Sequence, residues 1–205
     1  LLELMDEDPD HVRHVAHLAL RLFDGTAPLH GLGDDSRELL EAAALLCNVG
    51  LFVSHSGHHK HSYYVIRNSE HLSGFTDREI ELIAQVARYH RKSAPTKRHD
   101  AFGALSGGDQ RRVQVLSGLL RVAVGLDRNH AGRIVDLRCH LGGGADGDGA
   151  DADEPVVVEV VARDGVAPEL EVFSARQRSG PLSDALGRPV EVELAEASAA
   201  ASAVQ

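Results

Sequence analysis

The sequence predicts a mainly α protein, with a helical domain over residues 1–130 and a small α+β subdomain over 131–195. Three observations support this. Apolar residues recur at helical spacing through several segments between residues 9 and 127. The period then changes, with a continuous Val156-Val157-Val158 run and an alternating Val190-Glu191-Val192-Glu193-Leu194 segment. At 205 residues, 43% hydrophobic and 25% charged, the chain is long enough and ordinary enough in composition for one good core. Aromatics at 4% with no Trp imply that Leu, Val and Ala fill it.

The first helix is expected over residues 9–23. Asp8 can cap it, Pro9 suits the first helical position, and Val12, Val15, Ala16, Ala19, Leu22 and Phe23 form an apolar stripe. His11 flanks that stripe, whereas His14, His17 and Arg21 belong to a wetter face. Gly25 to Gly33 reads as a loop. A second helix runs from about Ser36 to Cys47 and is closed by Gly50, after which Leu51-Phe52-Val53 continues apolar. Tyr63-Tyr64-Val65-Ile66 looks like a buried helix. Thr76-Asp77-Arg78-Glu79 is a capping box, and the helix it starts places Ile80, Ile83, Ala84, Ala87 and His90 on one inward face. Pro95 and Gly103 to Gly108 mark a loop before a helix over about 109–127.

Residues 133–140 and 155–163 read as strands joined by a Gly/Asp/Ala tract over 141–154, expected to be a flexible hairpin loop. Residues 169–177 suit a short helix and 190–194 a strand. The Ala/Ser-rich tail over 196–205 is expected to be disordered.

The composition excludes several classes. No apolar run approaches a membrane span, and Leu1 begins neither a signal nor a transit peptide. Leu1 is also not an initiator Met, so the chain reads as a piece of a longer protein. Cys47 and Cys139 lack CxxC spacing, which argues against a disulfide framework or a cysteine zinc site and leaves a reducing cytoplasm as the expected location. A net charge of -10 discourages specific nucleic-acid binding.

That charge is uneven. From His55 to His99 stand Lys60, Arg67, Arg78, Arg88, Arg91, Lys92, Lys97 and Arg98 against only Glu70, Asp77, Glu79 and Glu81. Seven of the 13 histidines share this window: His55, His58, His59, His61, His71, His90 and His99. A basic, His-rich island in an acidic protein is a natural anion site; the alternative is a solvated charged surface.

Other chemistry finds less support. The acids between Asp146 and Asp153 lack the spacing and closing Glu of an EF-hand, so a disordered acidic loop is the better reading. His11, His14 and His17 follow at three-residue steps without a carboxylate or thiolate to complete a metal set. Leu105-Ser106-Gly107-Gly108-Asp109 lacks the Lys and spacing of a P-loop, and there is no nucleophile elbow.

A long-range pattern rises above these. His11 is followed by the Leu45–Gly50 helix end, then His61, then Arg88-Tyr89-His90, then Leu119 to Asp127. This order resembles the HD superfamily of metal-dependent phosphohydrolases, which are all-helical. More specifically, the segments 41–51, 54–69, 74–76, 88–92 and 119–128, with 169–177 and 187–190, resemble the C-terminal half of the exopolyphosphatase/guanosine pentaphosphate phosphatase (Ppx/GppA) family. The resemblance covers about residues 5–194. It implies an HD-domain-like helical domain followed by the small α+β subdomain.

At the HD positions this chain departs from a metal-binding pattern. Cys47-Asn48 replaces the His-Asp pair and Val124 replaces the late Asp, leaving His11, His61 and His90 at ligand-like positions. The expectation is therefore a relic site with no metal and no catalytic residue. Asp127, one turn beyond Val124, is not expected to substitute.

The resemblance implies that catalysis belongs to a pair of N-terminal actin-like domains, absent from this sequence, which bind Mg and remove terminal phosphates from polyphosphate or pppGpp. No cofactor is expected in the present chain. Its implied roles are binding of polyphosphate or a related polyanion and support of a homodimer. On the residues themselves, His58, His59, Lys60, His61, Arg67, Arg91 and Lys92 are expected to line the polyanion path, with His90 behind it. An active HD-type phosphohydrolase and a purely structural helical domain are the alternatives.

Overall fold

The computed structural model describes residues 8–142 and 154–195. Helix α1 (Pro9–Gly25) starts as its sequence dictates: the Asp8 side chain accepts the His11 amide and Pro9 occupies the first turn. The segment expected as a loop contains a four-residue helix, α2 (Ala27–His30). The buried His30 fixes it, donating from Nε2 to the Phe23 carbonyl at 2.9 Å and accepting the Leu32 amide at Nδ1. Helix α3 (Asp34–Leu46) begins two residues earlier than expected and runs into a 3-10 turn at Val49–Phe52.

Two apolar expectations fail locally. Phe52 and Val53 are 65% and 55% exposed, so the run after Gly50 does not continue into the core. Helix α4 (His58–Arg67) is present, yet Tyr64 is 68% exposed and the buried face is His58, His59, Ser62 and Ile66. The helix follows Gly57, whose left-handed φ of 70° turns the chain into its first residue.

Helix α5 (Asp77–Arg88) carries the expected capping box, with Thr76 accepting the Glu79 amide and Glu79 reaching back to Thr76. After the short α6 (Asp100–Gly103), Ser106 caps α7 (Gly107–Leu126). Helix α7 is the centre of the molecule. Val113, Val115, Leu116, Leu119, Leu120, Val122, Ala123 and Leu126 are all fully buried, which surrounds the helix with partners on most sides.

Strands β1 (Ile134–Leu141) and β2 (Val156–Ala162) pair antiparallel, with Cys139 opposite Val158. The chain then makes a helical crossover, α8 (Glu169–Arg176) and α9 (Gly180–Leu186), before β3 (Val190–Leu194) pairs parallel to β2. Helix α9 has no counterpart in the sequence expectation; Pro181 occupies its first turn, where its missing N–H costs nothing. The crossover helices pack on α7. Gly125 permits the approach, since a Cβ there would stand 2.7 Å from the Ala175 Cα. Side chains of the sheet and the helices join a single core that includes Leu22, Leu116, Ile134, Val158 and Val192. The expected flexible loop lies almost wholly, and the tail wholly, outside the described residues. No helix among the described residues is long and apolar enough to cross a membrane.

Candidate anion-binding site

The His-rich segment is locked to the end of α3 by one hydroxyl. Ser62 donates to the Cys47 carbonyl at 2.6 Å and accepts the Gly50 amide at 3.0 Å. A side chain at Gly50 would run into the His58 carbonyl and the Ser62 amide, so only glycine lets the 3-10 turn lie against α4. This contact turns His58 inward.

His58 then enters a directional chain. The Arg91 guanidinium can only donate, so His58 Nδ1, 3.1 Å away, accepts. Nδ1 of His90 lies 2.6 Å from the Ala87 carbonyl and must donate to it. That leaves His90 Nε2 as an acceptor for the Nε2–H of His58, at 3.3 Å. Every member is satisfied if both rings are neutral. Burial, then the charge of Arg91, pushes His58 down to about 4; burial, against the help of the Ala87 carbonyl, pushes the fully enclosed His90 down to about 3.

The loop that follows α5 is held from below. Lys92 adopts a left-handed backbone at φ 61°, and Arg121 of α7 donates to the Tyr89 and Lys92 carbonyls at 3.1 and 2.7 Å. Opposite, His11 donates from Nδ1 to Asp127 Oδ2 at 2.8 Å, and the Gly132 amide donates to Oδ1 at 2.9 Å. Burial alone would raise the Asp127 carboxyl, but these two bonds hold it below its ordinary value. His130 stacks on His11 at 3.6 Å and is bonded in turn to Asp8.

These groups border a pocket of about 260 Å³ whose lining also includes Asn48, Leu51, Val124, Arg128 and Arg178. A smaller groove of about 190 Å³ is lined by His59, Lys60, Arg88, Tyr89, Arg91, Ser93 and His99. Arg91 borders both. The Arg88 guanidinium lies over the rings of Tyr63 and Tyr89, 5.4 Å from each centroid, which fixes it at the groove wall.

Of the residues expected on the anion path, His58, His90 and Arg91 therefore meet in the pocket, and His59, Lys60 and Arg91 in the groove. His61 lies in neither lining; the α4 rotation gives its inward place to His58. Arg67, at the far end of α4, is bound to Glu81 at 2.6 Å. Lys92 is exposed beside the groove without lining it. Sequence reasoning missed Arg88 and His99 as groove residues, and Arg128, His130 and Arg178 as pocket residues. Asp127, set aside in the sequence, faces the pocket through its bond to His11.

Asn48 and Val124 do face the pocket, at the positions where the HD resemblance would call for metal-binding carboxylates. Asp127 is committed to His11 and Gly132, and three guanidiniums share the lining. Such a donor set suits an anion and does not fit a divalent cation. Among the described residues, no group of three or more His, Cys, Asp or Glu side chains is arranged to hold a metal ion.

Residues 2–149 match the family model described as Ppx/GppA phosphatase, domain III. The chain belongs to the Ppx/GppA phosphatase family. A guanosine-5'-triphosphate,3'-diphosphate pyrophosphatase from Pseudoalteromonas translucida (strain TAC 125) is 33% identical over 120 residues, which cover 57% of this chain. The match spans 23% of that relative's length. Both the pocket and the groove draw on the segment that the Ppx/GppA model matches, except for Arg178, which lies beyond it.

Proposed function

We propose that this chain is the polyanion-binding part of an exopolyphosphatase or pppGpp phosphatase. Its ligand is polyphosphate, or the phosphates of a guanosine pentaphosphate as the name of its relative suggests. The hydrolytic step would belong to Mg-dependent actin-like domains of the parent enzyme, in the cytoplasm, and not to residues of this chain. The observation that carries the reading is the groove lining: His59, Lys60, Arg88, Arg91 and His99 with no carboxylate among them, in a protein of net charge -10. Displacing counterions from a phosphate chain onto fixed guanidiniums favours binding and makes it salt-dependent. Burial, then the neighbouring Arg91 and Lys60, lowers the proton affinity of His59.

Filter binding of labelled long-chain polyphosphate with a salt titration tests this. Substitution of Lys60, Arg88 and Arg91 by Gln should weaken binding and flatten the salt dependence. Unchanged affinity and slope would overturn the proposal. The family resemblance also brings dimer contacts, which static light scattering checks; a mass of 22.0 kDa at high protein concentration would remove that part.

A further inference from the structure

Beside the groove lies a second concentration of positive charge that no local sequence pattern marks. Arg91 follows α5, Arg128 follows α7 and Arg178 follows α8, yet all three border the 260 Å³ pocket. The only acid in its lining is Asp127, whose oxygens are taken by His11 and the Gly132 amide. Neither Arg128 nor Arg178 is hydrogen-bonded through its guanidinium to a described residue. Arg178 is half-buried, and burial, then Arg128, Arg121 and Arg91, lower its proton affinity. Like charges gathered in a partly desolvated recess are unfavourable until an anion joins them. Arg91 is also pre-oriented, since His58 accepts from it and is itself braced by His90.

We infer that this pocket receives the terminal diphosphate of a linear phosphate ligand, whose body runs along the groove and whose end turns in past Arg91. The inference rests on the polyanion reading and adds to it a site that distinguishes chain ends from chain interiors. A terminal phosphoryl group has a second ionisation near pH 6 and carries about -1.5 to -2 charge at neutral pH, more than the single charge of a bridging phosphate. Three guanidiniums match that density. The pocket, about 260 Å³ and open to solvent, has room for two phosphoryl groups between the three guanidiniums. Leu51 and Val124 give the recess an apolar wall, which strengthens charge-assisted hydrogen bonds within it.

A diphosphate end occurs both on polyphosphate and on a guanosine 3'-diphosphate, and the test separates the two sources. Calorimetric titration of the full 205-residue chain at pH 8 would use linear tripolyphosphate, a cyclic tetraphosphate of comparable charge, long-chain polyphosphate and guanosine 5'-diphosphate 3'-diphosphate. The linear ligand should bind about tenfold more tightly than the endless ring. Arg178→Gln should bring it down to the affinity of the ring, and so should Arg128→Gln, whose exposed side chain puts folding at little risk. Equal affinities for ring and linear ligand in the parent chain, or a preference that survives in both variants, would overturn the inference. Loss of long-chain binding with the end preference intact would refute the groove alone; long-chain binding without end preference would refute the pocket alone. Tighter binding of the guanosine compound than of tripolyphosphate assigns the end to a nucleotide, and the reverse order assigns it to polyphosphate.

Discussion

The Nε2 atoms of His58 and His90 face each other at 3.3 Å, although neither ring can serve its neighbours if it is charged. The bonds to Arg91 and to the Ala87 carbonyl fix opposite tautomers, with the proton on Nε2 in His58 and on Nδ1 in His90. Long-range proton–nitrogen NMR correlation at pH 7 should show these two patterns. Two identical tautomers would contradict the chain of bonds.

Both histidines make the fold acid-sensitive. Their folded values, about 4 and about 3, lie below the unfolded value of 6.5, so the unfolded chain takes up protons first as pH falls. Their stabilisation is complete above pH 6.5 and is lost progressively as pH falls toward the folded values. Each proton contributes a slope of about 1.4 kcal/mol per pH unit. Urea unfolding between pH 6.5 and 5, where most carboxylates remain ionised, should show stability decreasing with acid. In His58→Gln that slope should become shallower by up to about 1.4 kcal/mol per pH unit, the remainder coming from His90 and from His14, His30 and His59, whose proton affinity burial also lowers.

The Gly50–Ser62 contact is expected to be intolerant of change. Gly50→Ala forces the 3-10 turn away from α4 and should cost about 1–3 kcal/mol, the usual range for overpacking. Ser62→Ala removes the hydroxyl that accepts the buried Gly50 amide, again about 1–3 kcal/mol. Chemical denaturation measures both.

Arg67 and Arg88 are both basic residues near the histidines, and only one should matter for ligand. Arg67 is neutralised by Glu81 at 2.6 Å, whereas Arg88 lines the groove. Arg88→Gln should reduce the log–log salt slope of polyphosphate binding by about 0.7. Arg67→Gln should leave that slope unchanged. The opposite ranking would move the ligand path to the far end of α4.

Much of the fold was legible because its signals are local. The Asp8-Pro9 start, the Thr76 capping box and the inward face ending at His90 depend on residues within a few positions of one another. The rotation of α4 was not legible. Tyr63 to Ile66 suggested an apolar face there, but the tertiary contact between Gly50 and Ser62 chooses the face that carries His58. That phase change replaces His61 by His58 at the site. Arg178 was beyond reach for a different reason: its approach to Arg91 spans about two fifths of the chain, and no periodicity reports such a distance. Arg88 and His99 were visible as charges, but their place at a groove follows from the turn after α5, which Arg121 sets from another helix.

The crossover between β2 and β3 carries one more consequence. Arg178 lies within that connection, between α8 and α9, and the parallel partner strand β3 comes last in the sheet. Parallel pairing needs a crossover that brings β3 back beside β2, and such non-local pairing is slow. The helical body can therefore mature ahead of its ligand pocket. In refolding, far-UV circular dichroism should therefore recover no later than the pairing of β3 with β2, on which the placement of Arg178 depends.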